Sequence, residues 1–537
     1  MLTKPSRHLI YALLLAAAIV VPRAILIQHA QSETSDDDYH LIRGLEFLHR
    51  DAGLVHRQLN DPPLGEALAA LPLWVMGGTT HGQIEGTAIY GQANYSPETA
   101  LMAVAIWKAV LFLPLVAIVF IWSRRLYGVI SAYLAIALLL IEPTITGHLH
   151  LAALDVLGTT AIVTAYFFGW RYFERPTTAR LILAGVACSA ALLIKHTAIV
   201  VPLVFMGYAF FFWFAREDMP TPATEPFGSE AVFARARAWH PEMLISLLKV
   251  TLVTLIMMWI LLAFDMSPVG QRGAIPGGLY IQSLRDAAQH VAEPNNAYLL
   301  GQIRRGGWWY YFPVVATYKI PIGIASIIAL GLLSYFNRRL GRQELSVLLP
   351  LMAYAIFLML QSINIGWRHF LPAYVFMLML GSRCLAAGVS GRIAPWIIVI
   401  LVAINTTLRW HPDYLSYITW PRKDAALAIS DSNLDWGQGL KEVRNWIDQN
   451  RDFIAGRPVY FRGFTVKERA VEHYLGSRVI NLRFSDSPPD SGILILSPVC
   501  LSGVSESNNE YAFLKNVRPR TLIGHTLRVY DLDHPPP

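Results

Sequence analysis

The sequence predicts a polytopic α-helical membrane protein that ends in a mixed α/β soluble domain. Three observations predict it. Of 537 residues, 54% are hydrophobic and only 15% charged, where soluble domains carry roughly a quarter charged. The apolar residues gather into runs long enough to span a bilayer. From about residue 410 those runs give way to short strand-like segments between Pro and Ser loops. The formal net charge of +7 comes from Lys and Arg clustered between apolar runs, which is the positive-inside pattern and not a nucleic-acid footprint. No nucleic-acid partner is expected. Cys188 and Cys384 lie inside apolar runs and Cys500 stands alone, so there is neither a disulfide framework nor a zinc spacing.

The first run, 9–27, follows Lys4 and Arg7 and reads as either a signal peptide or a first transmembrane helix. Its length, and Pro22-Arg23 across the cleavage region, favour the helix. Either way residue 30 onward lies outside the cytoplasm. Further spans are expected at 98–123, 128–146, 156–173, 180–195, 197–214, 242–264, 313–336, 344–362, 369–388 and 392–408, about eleven in all. The stretch 62–77 is shorter, begins Pro62-Pro63 and contains Glu66, so it is expected to lie along the membrane interface. With the N-terminus cytoplasmic, the inner connections become Arg124-Arg125 and the segments 171–180, 216–237, 337–342 and 383–392, all rich in arginine. The outer connections differ in kind. They hold the first loop (28–97), Gly147-His148-Leu149-His150 up to Asp155, Lys195-His196, the long loop 266–312 and Asn364-Ile365-Gly366-Trp367-Arg368-His369. Ionisable groups at the edge of an apolar bundle mark a functional site. The chain divides into a membrane core, 1–409, and a C-terminal domain, 410–537, on the same outer face. That domain is expected to have a helix at 438–448 and strands at 458–462, 478–484, 492–496 and 526–530.

The chemistry concentrates in Ser35-Asp36-Asp37-Asp38-Tyr39-His40, answered later by Asn60-Asp61-Pro62-Pro63-Leu64-Gly65. Acids in a first turn stabilise the helix dipole, and Ser35 with Asp38 reads as a capping box. Three adjacent carboxylates also repel, which raises a pKa unless a cation is near, and either outcome suits a general base. His148, His150 and Asp155 are metal-ligand types, but their spacing specifies no site, so a divalent metal stays an open option. Asp431, Asn433, Asp435 and Glu442 fall on ligand positions of a calcium loop, yet Trp436 stands where that loop needs glycine. Asp435 is instead expected to cap the following helix, and Trp436 to pack it onto the bundle. The aromatic run 308–312 reads as an interfacial belt, or as a stacking surface for lipid or sugar.

Asp36-Asp37-Asp38-Tyr39-His40 followed by Asp61-Pro62-Pro63-Leu64 resembles the first-loop pattern Asp-Glu-x-Tyr-His and His-Pro-Pro-Leu of the GT-C glycosyltransferases that use a polyprenyl-phosphate sugar donor. Protein O-mannosyltransferases and the lipid A aminoarabinose transferases are among them. The resemblance continues through Gly147-His148 to Asp155, Lys195-His196-Thr197-Ala198, Gly306-Gly307-Trp308-Trp309 with Lys319-Ile320-Pro321, Gly366-Trp367-Arg368-His369-Phe370-Leu371-Pro372 and Asp431-Ser432-Asn433-Leu434-Asp435-Trp436-Gly437-Gln438. These blocks run in order through nearly the whole chain, and the bacterial phospholipid-carrier-dependent branch is the most similar.

The resemblance implies a GT-C helical bundle with interfacial helices in the first outer loop, in a bacterial inner membrane. It implies inverting transfer of a hexose or pentose from the lipid carrier to a lipid, glycan or protein acceptor on the non-cytoplasmic face. Asp36 falls on the family's catalytic aspartate, with Asp37 the candidate if the register shifts by one residue. Asp155 either caps its helix or completes the acidic site. The departing polyprenyl phosphate is anionic and needs cations. Lys195, His196, Lys319, Arg368 and His369 are the candidates, with Arg272, Arg304 and Arg305 of the long outer loop behind them. The chain departs from the pattern where Asp37 replaces Glu, Asp38 stands at a position often held by Pro, and Asp61 replaces His. A transporter or lipid flippase is the alternative, since buried charges also line transport paths. Against it, the charges gather on one face and no inverted repeat is visible.

Overall fold

Each apolar run of the membrane core folds as helix. The computed structural model describes residues 7–51, 59–81, 86–214, 241–269, 273–293, 296–335, 343–387, 393–419, 425, 428–504 and 510–534. In chain order the core comprises α1 (Arg7–Ala30), α2 (Asp37–His49), α3 (Pro63–Val75), α4 (Pro97–Tyr127), α5 (Val129–Ile141), α6 (Pro143–His148), α7 (Asp155–Glu174), α8 (Thr178–Ile194), α9 (Val200–Phe214) and α10 (Pro241–Leu261). It continues with α11 (Gly278–Ala292), the hairpin β1 (Asn296–Leu299) and β2 (Gln302–Arg305), then α12 (Tyr311–Lys319), α13 (Ile322–Leu333), α14 (Leu345–Met359), α15 (Leu371–Ala387) and α16 (Ala394–Trp410). The basic connections 216–237 and 337–342, the second half of 383–392, Arg272 and the terminal 535–537 lie outside the described residues.

The expected runs are in place, and the count of about eleven spans is not confirmed by length and composition. Among the described residues, four helices are long and apolar enough to cross a membrane: Arg7–Ala30, Pro97–Tyr127, Glu242–Leu261 and Trp367–Ala386. Proline and polar breaks shorten others. The run 313–336 bends by 120° between α12 and α13, because Pro321 forces Ile320 out of the helical region. The run 128–146 breaks at extended Glu142 before Pro143, and α8 stops at extended Lys195.

Packing follows membrane logic. On α1 the buried face is Ala12, Ala16, Val20, Ala24 and Ile27, set against α4, while Leu14, Leu15 and Leu26 point outward. Small residues let helix backbones approach where lipid supplies no hydrophobic drive, and large apolar residues face the acyl chains. Rows such as Leu248, Leu252 and Leu255 on α10 are likewise exposed. The chain is an integral membrane protein.

After α16 come α17 (Leu440–Gln449), α18 (Arg451–Ile454), β3 (Val459–Arg462), α19 (Glu468–Tyr474), β4 (Ile480–Asn481), β5 (Ile493–Leu496), α20 (Pro498–Ser502), β6 (Thr521–Ile523) and β7 (Leu527–Asp531). The sheet order is β4-β3-β5-β7-β6. β3 pairs in parallel with β4 and β5, and β7 pairs antiparallel with β5 and β6. β5 is buried at all its positions, as a central strand covered on both faces should be. The four expected strands are present; β6 is the addition, too short and exposed to carry an alternating signal. One hydrophobic cluster joins Leu41, Leu45, Ala70 and Leu73 of α2 and α3 to Leu440, Phe461, Val471 and Val529. The C-terminal domain therefore packs directly on the first loop.

Candidate active site

The first loop is a tight pair of helices. A Cβ on Gly44 of α2 would overlap the Glu66 carbonyl oxygen of α3, so only glycine permits this approach. His40 and Arg43, three residues apart on one face of α2, thereby reach Glu66. His40 Nδ1 lies 3.3 Å from Glu66 Oε1, and Arg43 Nε lies 3.5 Å from Oε2. Burial pushes the Glu66 carboxyl up. Burial is also the largest influence on His40 and opposes its charge, but the Glu66 bond and the charges of Asp61, Glu66 and Asp36 outweigh it and raise the imidazole pKa. His40, Asp61 and Glu66 bring ligand atoms within 4.8 Å of one another, the one such group of three among the described residues. These residues could hold a cation, which would have to compete with the His40 proton. Sequence reasoning missed this cluster; the His40/Arg43 spacing on an amphipathic helix was the available signal.

The acidic triplet splits into two roles. Asp37 and Asp38 are each 2% exposed and their oxygens are occupied. Asp37 accepts the N–H of Thr34 and of Ala152, both at 2.8 Å, while burial pushes its pKa up. Asp38 accepts Thr87 Oγ1, the N–H of Ala88 and of Ile89, and Lys467 Nζ at 3.2 Å. The expected capping box is absent. The Ser35 hydroxyl has no hydrogen-bond partner, and Asp38 is spent on the 87–89 loop. Asp36 is the N-cap of α2, but its side chain makes no capping bond and is partly exposed.

Asp155 heads α7 and pairs with two cations. Lys195 Nζ donates to one carboxylate oxygen, and Arg368 Nη1 lies 3.4 Å from the other. The Arg368 guanidinium also lies 3.9 Å from the Trp436 ring centroid, with Asp36 and Asp431 within electrostatic range. Trp436 packs with Leu151, Ala153 and Leu415, as expected. Asp435 does not cap α17: it accepts from Ser497 Oγ and from the N–H of Gly437. Asn433 accepts the Trp367 N–H and donates to the Tyr311 hydroxyl, so this block braces the bundle and does not converge on a calcium ion.

A cavity of about 340 Å³ adjoins this pair. Asp61, Lys195, His196 and His369 line it together with Ile199, Val291, Phe357 and Leu358. Lys319 lies elsewhere. It is fully buried, and its Nζ donates to the carbonyls of Leu415, Tyr417 and Asn433 at 2.8, 3.0 and 2.8 Å, which uses all the donors an ammonium has. Arg304 and Arg305 sit on β2, exposed throughout, and neither lines the cavity. Burial pushes His148 down to about 4 and His150 down to about 3, so both are neutral at pH 7.

An integral membrane protein with a cation-bearing, partly apolar cavity beside a carboxylate-rich loop is the class these features define. Residues 98–222 match the family model described as dolichyl-phosphate-mannose-protein mannosyltransferase. That segment contains His148, Asp155, Lys195 and His196. A search of curated proteins finds no match. Among solved structures, ArnT from Cupriavidus metallidurans bound to undecaprenyl phosphate is similar at 11% identity and a TM-score of 0.47, covering 98% of each chain. The Archaeoglobus fulgidus oligosaccharyltransferase in complex with Zn and sulfate is similar at 11% identity and 0.47, covering 95% of this chain and 71% of that one.

Proposed function

We propose that the chain is a glycosyltransferase that moves a sugar from a polyprenyl-phosphate carrier to an acceptor on the non-cytoplasmic face. The observation that carries this reading is the cavity in which Lys195, His196 and His369 share one space with Ile199, Val291, Phe357 and Leu358. A lipid phosphate asks for that combination, one cation at Lys195 for the headgroup beside the imidazoles of His369 and of His196, whose pKa burial lowers, and apolar wall for the first isoprene units.

Asp36 is the proposed base, because its carboxylate is the accessible one of the triplet and is not spent on a cap. It accepts the proton of the acceptor as that nucleophile bonds to the anomeric carbon and the bond to the carrier phosphate breaks, with inversion. Lys195, on the cavity wall, meets the negative charge left on the phosphate, and Arg368, held off the wall by the Asp155 carboxylate, adds to the positive field. Asp155 holds both cations in place and is a positioning residue. The membrane is the bacterial inner membrane in this reading, with the C-terminal domain outside the cytoplasm.

Asp36→Asn in the purified full chain, assayed with labelled polyprenyl-phosphate sugars, is expected to lose about 10²- to 10⁴-fold in transfer, the usual worth of a general base, while still binding undecaprenyl phosphate. Wild-type transfer by Asp36→Asn would remove Asp36 from the role.

A further inference from the structure

The C-terminal domain has a cavity of its own. In open α/β sheets, ligands bind beyond the carboxyl ends of the parallel strands. The carboxyl ends of β3 and β4, with Cys500 of the helix after β5, border a cavity of about 360 Å³, lined by Arg462, Thr465, Glu468, Asn481, Arg483 and Phe484 among others. That is within the size range of small-molecule sites, roughly 300–1,000 Å³.

Its chemistry is mixed in a particular way. Phe484 is 53% exposed, so a large apolar ring is left facing solvent at the cavity. The Arg462 guanidinium lies 5.4 Å from that ring centroid, is only 9% exposed, and gives one N–H to the Leu482 carbonyl at 3.5 Å. Arg483 Nη2 lies 2.7 Å from Glu468 Oε1, and Asn481 and Thr465 add an amide and a hydroxyl. An open aromatic face suits the C–H face of a pyranose ring, the amide and hydroxyl suit sugar hydroxyls, and the guanidinium donors of Arg462 and Arg483 suit an anionic substituent, with Asp486 as well as Glu468 acting on Arg483.

The cavity is also tied to the first loop. Lys467, next to the lining residues Val466 and Glu468, donates to Asp38 at 3.2 Å. Val466 Cγ2 and the Phe464 carbonyl lie against Gly437, whose other neighbour is the Ser35 backbone N. A ligand held here would therefore sit on the segment that fixes the connection between α1 and α2 carrying Asp36.

We propose that this cavity binds an anionic saccharide, the non-reacting part of the acceptor, and so aligns the acceptor with the first loop. The proposal rests on the glycosyltransferase reading for its role, but the binding itself is measured without transfer. Saturation-transfer-difference NMR on the full chain in detergent, with glucuronic acid and glucose as separate probes, is the test. Glucuronic acid is expected to give a signal that is lost in Phe484→Ala and in Arg483→Gln, with glucose well below it. Both substituted side chains are exposed, and unchanged thermal melting would show that the variants fold. No glucuronic acid signal, a signal that survives both substitutions, or an equal one from glucose would overturn the proposal. Loss of transfer in Asp36→Asn alongside any of those results would leave the transferase reading intact and remove this subsite alone.

Discussion

Buried carboxylates keep opposite company in two regions of this molecule. At the head of α7, Asp155 faces Lys195 and Arg368, so charge is matched by charge. At the junction of α16 and α17, Asp413 and Glu442 face each other. Gln31 Nε2 donates to Asp413 at 3.2 Å, Asp435 adds like charge, and His525 is the opposing group. Burial first, then the Asp413 charge, pushes Glu442 up to about 8, and burial likewise raises Asp413. The difference separates function from architecture. In the proposed function the two cations held by one carboxylate serve an incoming phosphate, whereas a proton shared between two acids only holds the C-terminal domain to the bundle.

The sharpest way to break the comparison is Asp155→Ala. It strands Lys195 and Arg368 without their counter-charge, and removing one partner of a buried pair costs about 3–5 kcal/mol. Thermal melting in detergent should fall accordingly. Undecaprenyl phosphate should then restore part of the loss, because a phosphate bound to the native state alone adds stability by linkage. A variant that melts low and is indifferent to that lipid would show that the two cations do not face the donor.

The junction gives the second prediction, through pH. Glu442 binds its proton more tightly folded than unfolded. Between its ordinary pKa of 4.5 and about 8 the unfolded chain has released a proton that the folded chain keeps. Stability in this group's share therefore falls as pH rises through that window and levels off above it. Glu442→Gln keeps a neutral side chain at every pH, so its melting temperature should be flatter than wild type from pH 5 to 8. An unchanged slope would mean that the pair does not hold the proton.

The two regions also differ in how far the sequence announced them. Asp155, Lys195 and Arg368 were legible as charges at the ends of apolar runs because each interrupts or begins one, and an ionisable residue there needs a partner. The apolar runs and most strands were legible for the same reason, periodicity against a known length. Three things were not. The Asp413–Glu442 contact, the Asp38–Lys467 pair and the closure of His40 and Arg43 on Glu66 all depend on which surfaces meet. The first two join the bundle or its first loop to the C-terminal domain, and the third depends on a helix crossing permitted by Gly44. Local pattern carries no record of such meetings. The breaks at Pro143 and Pro321 were not legible either, since they cut apolar runs whose composition alone reads as continuous.

A smaller effect is expected at the seam between the first loop and the C-terminal domain. Asp38 keeps three acceptor bonds from the 87–89 loop whether or not Lys467 is present, and the Lys467 side chain is itself 37% exposed. Lys467→Met should therefore cost no more than about 1 kcal/mol and leave transfer near wild type. Asp38→Asn, which weakens every one of those bonds, should cost more, about 1–3 kcal/mol. Equal losses would make Lys467, and not the 87–89 loop, the main restraint on Asp38.

The smallest effect is expected at the long-loop hairpin, which also tests whether cations away from the cavity reach the donor. On β1, Ala297, Tyr298 and Leu299 are buried, while β2 is exposed along its length. Leu300 N donates to the Ala428 carbonyl at 2.7 Å, so the hairpin is anchored through its first strand, and Arg304 is carried on the solvent side. An exposed guanidinium is screened by salt and gains little from a partner. Arg304→Ala should shift stability by less than about 0.5 kcal/mol and leave undecaprenyl phosphate affinity within experimental error, whereas Lys195→Ala should weaken it clearly. If Arg304→Ala weakened lipid binding as much as Lys195→Ala, the hairpin would have to fold over the cavity when the donor is bound. The matched charges of Asp155, Lys195 and Arg368 would then be only part of the phosphate site.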